Sequence, residues 1–221
     1  MAMPLLDPLD IDGTVITADA LLTQVKFARY LVEDKKAHYH FTVKANQLTL
    51  LEDLQCFFDV RKAPDATTVN QGHGRIETRK IWITSKLNDY LNFPYVGQAF
   101  VVEREAISKK TGKVSRELAY GITSQTSVDA SAAEILSTNR EHWCIENSCH
   151  YILDWTYDED RCRIRTGYGP ENISRLRRFA IGAIKAVSSQ GVAATTRMLT
   201  MNVRLVFDYL KMTENSLGRR T

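Results

Sequence analysis

The chain has 221 residues, of which 44% are apolar, 25% charged and 9% aromatic, with a formal net charge of +3. That composition can bury a core without disulfides or metals, and it excludes wholesale disorder and collagen-like readings. No apolar run approaches the roughly 20 residues a spanning helix needs, and Met1-Ala2-Met3-Pro4 opens no signal peptide, so a cytoplasmic protein is expected.

Val15-Ile16-Thr17-Ala18 is a short β-branched run ending in Asp19 and reads as a buried, parallel-type strand. Ala20 to Asp34 carries helical spacing through Leu21, Leu22, Val25, Ala28, Tyr30 and Leu31. A second strand, Tyr39 to Lys44, leads into a helix from Asn46 to about Phe58. Strand, helix, strand, helix at this spacing predicts an α/β domain with a parallel sheet. From Ala66 to about Thr123 the pattern becomes mainly antiparallel β. Arg75–Ile83 alternates, and Phe100–Ala106 and Val114–Ile122 flank the turn Lys109-Lys110-Thr111-Gly112-Lys113. Helix returns from Ser131 to about Leu153. It appears again after Gly167-Tyr168-Gly169-Pro170, with a cap at Asn172 or Ser174 and an end near Val187, and once more from Arg197 to Leu210. Asn215–Thr221 reads as a loose tail.

Charge is unevenly distributed. Asp129 to Asp160 holds eight acids against Arg140 alone, whereas Arg161 to the end holds twelve bases against Glu171, Asp208 and Glu214. Such blocks suit a metal site beside a phosphate-binding surface, or two solvated helix faces. Cys56, Cys144, Cys149 and Cys162 form no CxxC pair and read as reduced thiols. Cys144 and Cys149 stand five apart, on different helix faces, which disfavours a zinc site with His142 and His150.

On a helical wheel Glu146 shares a sector with Ile135, Leu136, Trp143 and Leu153, and with His142 and His150 four residues to either side. A carboxylate on such a core-facing stripe needs a paired base or a cation. Asp19, at the carboxyl end of a strand, is placed either to cap the next helix or to act as a ligand where open α/β sheets put their sites. Two such carboxylates could share Mg²⁺, a hard cation that takes oxygen ligands.

The stretch His142-Trp143-Cys144-Ile145-Glu146-Asn147-Ser148-Cys149-His150-Tyr151-Ile152-Leu153-Asp154 resembles the HWxIENxxHxxLD signature of H-repeat-associated transposases, DDE-class insertion-sequence enzymes of the ISAs family. Val15–Ala20, Val43–Gln47, Gly72–Arg79, Tyr120–Ser124, Glu159-Asp160 and Arg163–Gly167 agree in consistent order. The resemblance implies a partial RNase H-like core over residues 1–65 that lacks its first strands. A mainly antiparallel β insertion over 66–125 would interrupt that core, and the catalytic-Glu helix and C-terminal helices would occupy 126–221. It makes Asp19 the second and Glu146 the third acid of the triad, both catalytic and both ligands of Mg²⁺ (or Mn²⁺). The implied activity is phosphodiester hydrolysis and strand transfer on double-stranded DNA, at transposon ends and target, by a homodimer associated with the nucleoid.

Two departures bear on that expectation. The family's first acid would precede Asp19 by several elements, and only 18 residues do so here; Asp10 and Asp12 lie in the linker before the first strand. A truncated enzyme, inactive alone, is therefore expected. At the offsets where the wider superfamily shows Tyr, Arg, Glu and Lys stand Asn139, His142, Glu146 and Leu153. The phosphate-binding candidates are Lys44, Arg75, Arg79, His142, Arg161, Arg163, Arg165, Arg175, Arg177 and Arg178. A non-catalytic DNA-binding remnant and a different Mg²⁺-dependent nuclease are the alternatives.

Overall fold

A computed structural model describes residues 2–59, 62–72, 74–143 and 149–213. The chain divides into two compact units, Met1–His142 and Trp143–Thr221.

The first unit is built on a six-stranded mixed sheet. Its strands are β1 (Val15–Ala18), β2 (His38–Val43), β3 (Ala66–Gly72), β4 (Arg75–Thr84), β5 (Gln98–Ser108) and β6 (Val114–Thr123), in the spatial order β1-β2-β6-β5-β4-β3. The β1–β2 pair is parallel as expected, with Thr17 opposite His40. Every other pair is antiparallel, and β6 docks on β2 with Gly121 opposite Thr42. The antiparallel strands therefore continue the parallel pair as one sheet. β3 was not legible as a strand: Thr67, Thr68, Asn70 and Gln71 carry no apolar alternation, and its order comes from seven-residue pairing with β4. The β5–β6 turn falls at Lys109–Lys113 as predicted, with Gly112 at φ 66°, a conformation that favours glycine.

Alternation assigns the two faces of the sheet. Ala18, Tyr39, Phe41, Ala99, Val101 and Ile122 turn to one side. There they meet Phe27 of α2 (Val25–Arg29, which follows the short α1, Met3–Leu6), Leu31 just beyond it, and Leu50 and Leu54 of α3 (Leu48–Phe57), with Phe58 just after it. Ile81, Phe100 and Val102 turn to the other side and pack on Ile135 and Leu136 of α4 (Ala132–His142). α4 starts at a capping box: the Ser131 N–H and hydroxyl both donate to Glu134 Oε2, at 2.8 and 2.7 Å. These bonds hold the Glu134 carboxyl below its usual range.

The expected single helix from Ala20 to Asp34 is broken into a 3₁₀ turn (Ala20–Leu22), a short α-helix (Val25–Arg29) and a wider π turn (Tyr30–Asp34). The break is Thr23, whose hydroxyl donates to the Thr42 carbonyl at 2.8 Å and so ties the chain to β2. α4 is described only to His142. Cys144–Ser148, and Glu146 with them, lie outside the described residues. The predicted sheet-facing stripe holds at Ile135 and Leu136; Leu153 is buried instead in the second unit's own cluster, and Trp143 is 46% exposed.

In the second unit a π turn (Ile152–Thr156) and three helices, Gly169–Val187, Val192–Met201 and Val203–Tyr209, bury Leu153, Ile181, Ile184 and Val192. The first of these helices begins ahead of Asn172 because Pro170 occupies its first turn with φ already helical. The expected helix from Arg197 to Leu210 is interrupted at Asn202, whose φ of −141° and ψ of 87° leave the helical region. No helix among the described residues is long and apolar enough to cross a membrane.

Candidate active site

Asp19 follows the last residue of β1, and its carboxylate caps the 3₁₀ turn: Oδ1 accepts from the Ala20 N–H at 2.6 Å. Lys44, at the equivalent end of β2, brings Nζ to 3.9 Å from the same oxygen. Both side chains are open to solvent, Asp19 at 63% exposure. Oδ2 has no hydrogen bond among the described residues, so the cap leaves one carboxylate oxygen for a ligand. Cap and candidate ligand are therefore compatible roles of the same side chain.

The loop behind Asp19 is clamped from the 3₁₀ turn that follows β2, Ala45–Gln47. Asn46 Nδ2 donates to the Ala20 carbonyl at 2.6 Å and Gln47 Nε2 to the Thr23 carbonyl at 2.9 Å. Asn46, Gln47 and Thr23 fix the carboxylate's position without touching it, and no periodicity in the sequence points to that role. Only their adjacency to the end of a strand could have suggested it.

His142, at the C-terminal end of α4, brings Nδ1 to 3.1 Å from Thr17 Oγ1 on β1. Thr17 and Asp19 are two residues apart, so α4 ends over the strand that carries the acid, on the same side of the sheet. Next to Thr17 in the register lies His40, fully buried and stacked on Phe100 at 4.6 Å between ring centres. Neither His40 ring nitrogen has a hydrogen-bond partner among the described residues. Burial first, and then the charge of His142, push its pKa down to about 3. His40 is a neutral ring at neutral pH and was missed by sequence reading because a lone strand histidine carries no pattern.

The basic candidates divide by environment. Lys44, Arg75, Arg163 and Arg165 are exposed. Arg161 is exposed and lies 3.5 Å from Asp158. Arg79 pairs with Glu77 and its side chain is only 12% exposed. Arg177 is 14% exposed and 3.9 Å from Glu159. It also helps lower the pKa of the Cys162 thiol, after the larger effect of the Ile164 backbone hydrogen bond. Arg175 pairs with Glu171 and Arg178 with Ser174 on their own helix. Asp10 and Asp12 sit exposed in the turn before β1, where Asp10 Oδ1 accepts from the Asp12 N–H at 3.3 Å. Among the described residues no group of three or more His, Cys, Asp or Glu is set to hold a metal ion. Asp19 alone of the expected pair is seen, and it fits a hard cation as one oxygen ligand.

The transposase DDE domain family matches residues 1–178 of the chain. The chain belongs to the DDE transposases. Within that family it is of the H-repeat-associated type. It is 30% identical over 98% of its length to "Putative transposase YncI" of Escherichia coli O157:H7, covering 57% of that protein. It is 28% identical over 81% of its length to "H repeat-associated putative transposase YhhI" of Escherichia coli strain K12, covering 50% of it. This transposase chain thus spans about half the length of the curated relatives it matches. The matched range includes both Asp19 and Glu146.

Proposed function

We propose that the chain supplies the second and third acids of a DDE site, Asp19 and Glu146, on a partial RNase H-like core. Its substrate is the phosphodiester backbone of double-stranded DNA at insertion-sequence ends and target. The observation that carries this reading is the Asp19 carboxylate. It stands at a strand end, open to solvent, with one oxygen uncommitted and the loop behind it clamped by Asn46 and Gln47. Family membership supports the role of Asp19, and the HWxIENxxHxxLD stretch supports Glu146.

Bound Mg²⁺ or Mn²⁺ would supply charge stabilisation at the scissile phosphate. The chain's own residues do the rest. Asp19 offers Oδ2 as a ligand, and Glu146, four residues beyond His142, offers the second carboxylate. Lys44 neutralises Asp19 in the metal-free chain and is free to face phosphate once a cation takes its place. His142, held through Nδ1 by Thr17, keeps Nε2 for a phosphate oxygen. Arg75, Arg161, Arg163 and Arg165 supply salt-dependent backbone contacts with little base reading. Two DNA ends call for two copies, hence a homodimer in the active complex. Strand transfer is proposed for a protein that also supplies a first acid, since exposed Asp10 and Asp12 lie off the sheet. The 221 residues alone bind metal weakly.

Electron paramagnetic resonance of Mn²⁺ titrated into the chain tests the site. Asp19→Asn and Glu146→Gln should each reduce the bound fraction sharply. Equal binding by the wild type and both variants would remove the two acids from the site.

A further inference from the structure

Charge and edge position are inverted in this sheet. Natural sheets protect an exposed edge with charged residues, proline or a bulge, because its unpaired N–H and C=O groups can receive another strand. Here the charges lie on inner strands, with Arg75, Glu77, Arg79 and Lys80 on β4 and Glu103, Arg104 and Glu105 on β5. The edge strand β3 reads Ala-Thr-Thr-Val-Asn-Gln-Gly, and no Lys, Arg, Asp, Glu or Pro stands between Asp65 and Arg75. All seven of its residues are in unbroken register with β4, so no bulge bends the edge away.

Along an antiparallel ladder, alternate residues turn their N–H and C=O groups outward. Among the described residues no strand pairs with β3 on the side away from β4. Val69, at its middle, is 61% exposed and lies with Thr67 and Gln71 on the face opposite α4. The other edge of the sheet differs. β1 is four residues long and lies between Asp12 and Asp19, so two antiparallel copies of it would draw acids together. β3 is instead its own complement. An antiparallel pair centred on Val69 sets each Val69 against its mate, Thr68 against Asn70 and Thr67 against Gln71. No like charges meet across that pair, and the two exposed valines cover each other.

We propose that two copies of the chain associate through their β3 edges, as a two-fold antiparallel pair centred on Val69 that joins both sheets into one. The proposal rests on the reading that the chain works as two copies, and it names the surface that joins them. A seven-residue edge buries less than the roughly 1,200 Å² of a standard interface, so the dimer dissociates on dilution.

Sedimentation velocity of the full chain over a concentration series, without DNA, tests it together with thermal melts of each variant. The wild type should pass from monomer to dimer as concentration rises. Val69→Lys and Val69→Glu, at an exposed position, should leave Tm unchanged. Each should weaken self-association by about tenfold, because like charges then face each other at the centre of the pair. Mixing the two variants should restore dimers, a recovery that requires residue 69 to face its own mate. Thr67→Lys combined with Gln71→Glu sets opposite charges across the same register without touching Val69, and should tighten association. A wild-type dimer that neither Val69 variant weakens overturns the β3 edge while leaving two copies as the assembly. Loss of dimers in both variants with no recovery on mixing overturns it as well. A wild type that stays monomeric at every concentration also overturns the edge; if added duplex DNA still gathers two copies the two-copy reading survives, and if it does not, both fall.

Discussion

The two ends of the sheet handle charge in opposite ways. At the β1–β2 end, Asp19 and Lys44 stand 3.9 Å apart in open solvent, above a floor of Thr17 and buried, neutral His40. At the β4–β5 end, Glu77 is enclosed by Arg79 and Arg104, with contacts of 2.7–2.8 Å to Arg104. In water a pair at about 4 Å is worth on the order of 1 kcal/mol, and an exposed pair contributes still less to stability. A half-buried carboxylate cannot lose its partners so cheaply, because the charge left behind is poorly solvated. The first arrangement can give up its ion pair to an incoming ligand. The second is part of the fold.

The contrast depends on the two ends being one sheet, and the seam is β2–β6. Gly121 sits there under the Phe100 ring, and a Cβ at this position would overlap that ring and stand 2.7 Å from the Phe41 carbonyl. Gly121→Ala is expected to cost about 3 kcal/mol or more, the upper part of the range for overpacked cores. Chemical denaturation measures it. A cost below 1 kcal/mol would mean that the strands part at the seam without loss.

The floor of the β1–β2 end sets the next test. His40 has its pKa lowered in the folded state to about 3, while the unfolded chain titrates near 6.5. Between those values the unfolded state holds the extra proton. Stability contributed by neutral His40 is therefore intact above pH 6.5 and falls as pH drops toward 3, by roughly 1.4 kcal/mol per unit well inside the window. Replacing the ring in His40→Phe, which keeps the stacking on Phe100, should flatten that slope between pH 6 and 4. An unchanged slope would place the acid sensitivity elsewhere.

How much of this was readable in advance follows from the physics of each part. Val15–Ala18 and the hairpin strands announce themselves by β-branching and alternation. Asp19 was legible as cap or ligand because a strand end is a local feature. β3 was not, because its order lies in hydrogen bonds to β4 and not in its own residues. The same holds for Thr23, Asn46 and Gln47, whose partners are 19 to 26 residues away in the chain. Arg79 looked like an exposed phosphate binder from sequence, since nothing local reveals that Glu77 and Arg104 enclose it. Helical phase alone points Trp143 to the core, and phase says nothing of where a packed unit ends.

A smaller effect should follow from loosening the clamp at the open end. Asn46→Ala removes the 2.6 Å bond to the Ala20 carbonyl and should cost about 1 kcal/mol, the usual net value of such a bond. Amide exchange at Leu22 and Thr23, whose N–H groups close the turn, should accelerate more than exchange in β5. Uniform acceleration would show that the clamp serves the whole unit and not the Asp19 loop.

The smallest change in stability carries the most about function. Lys44→Met removes an exposed ion pair and should shift stability by no more than about 0.5 kcal/mol. Its effects on ligands should run in opposite directions. Without the ammonium beside Oδ1, a divalent cation no longer competes with a resident charge, so Mn²⁺ should bind about two- to fivefold more tightly at low ionic strength. This gain should fade as salt screens the pair it removes. The same substitution takes one cation from the DNA-facing surface and should lower the salt slope of duplex binding by about 1. Tighter metal with weaker DNA is the signature of a lysine poised between the two ligands. Weaker binding of both would make Lys44 a support for the Asp19 loop, and the open end of the sheet would then resemble the closed one, its charges held for the fold.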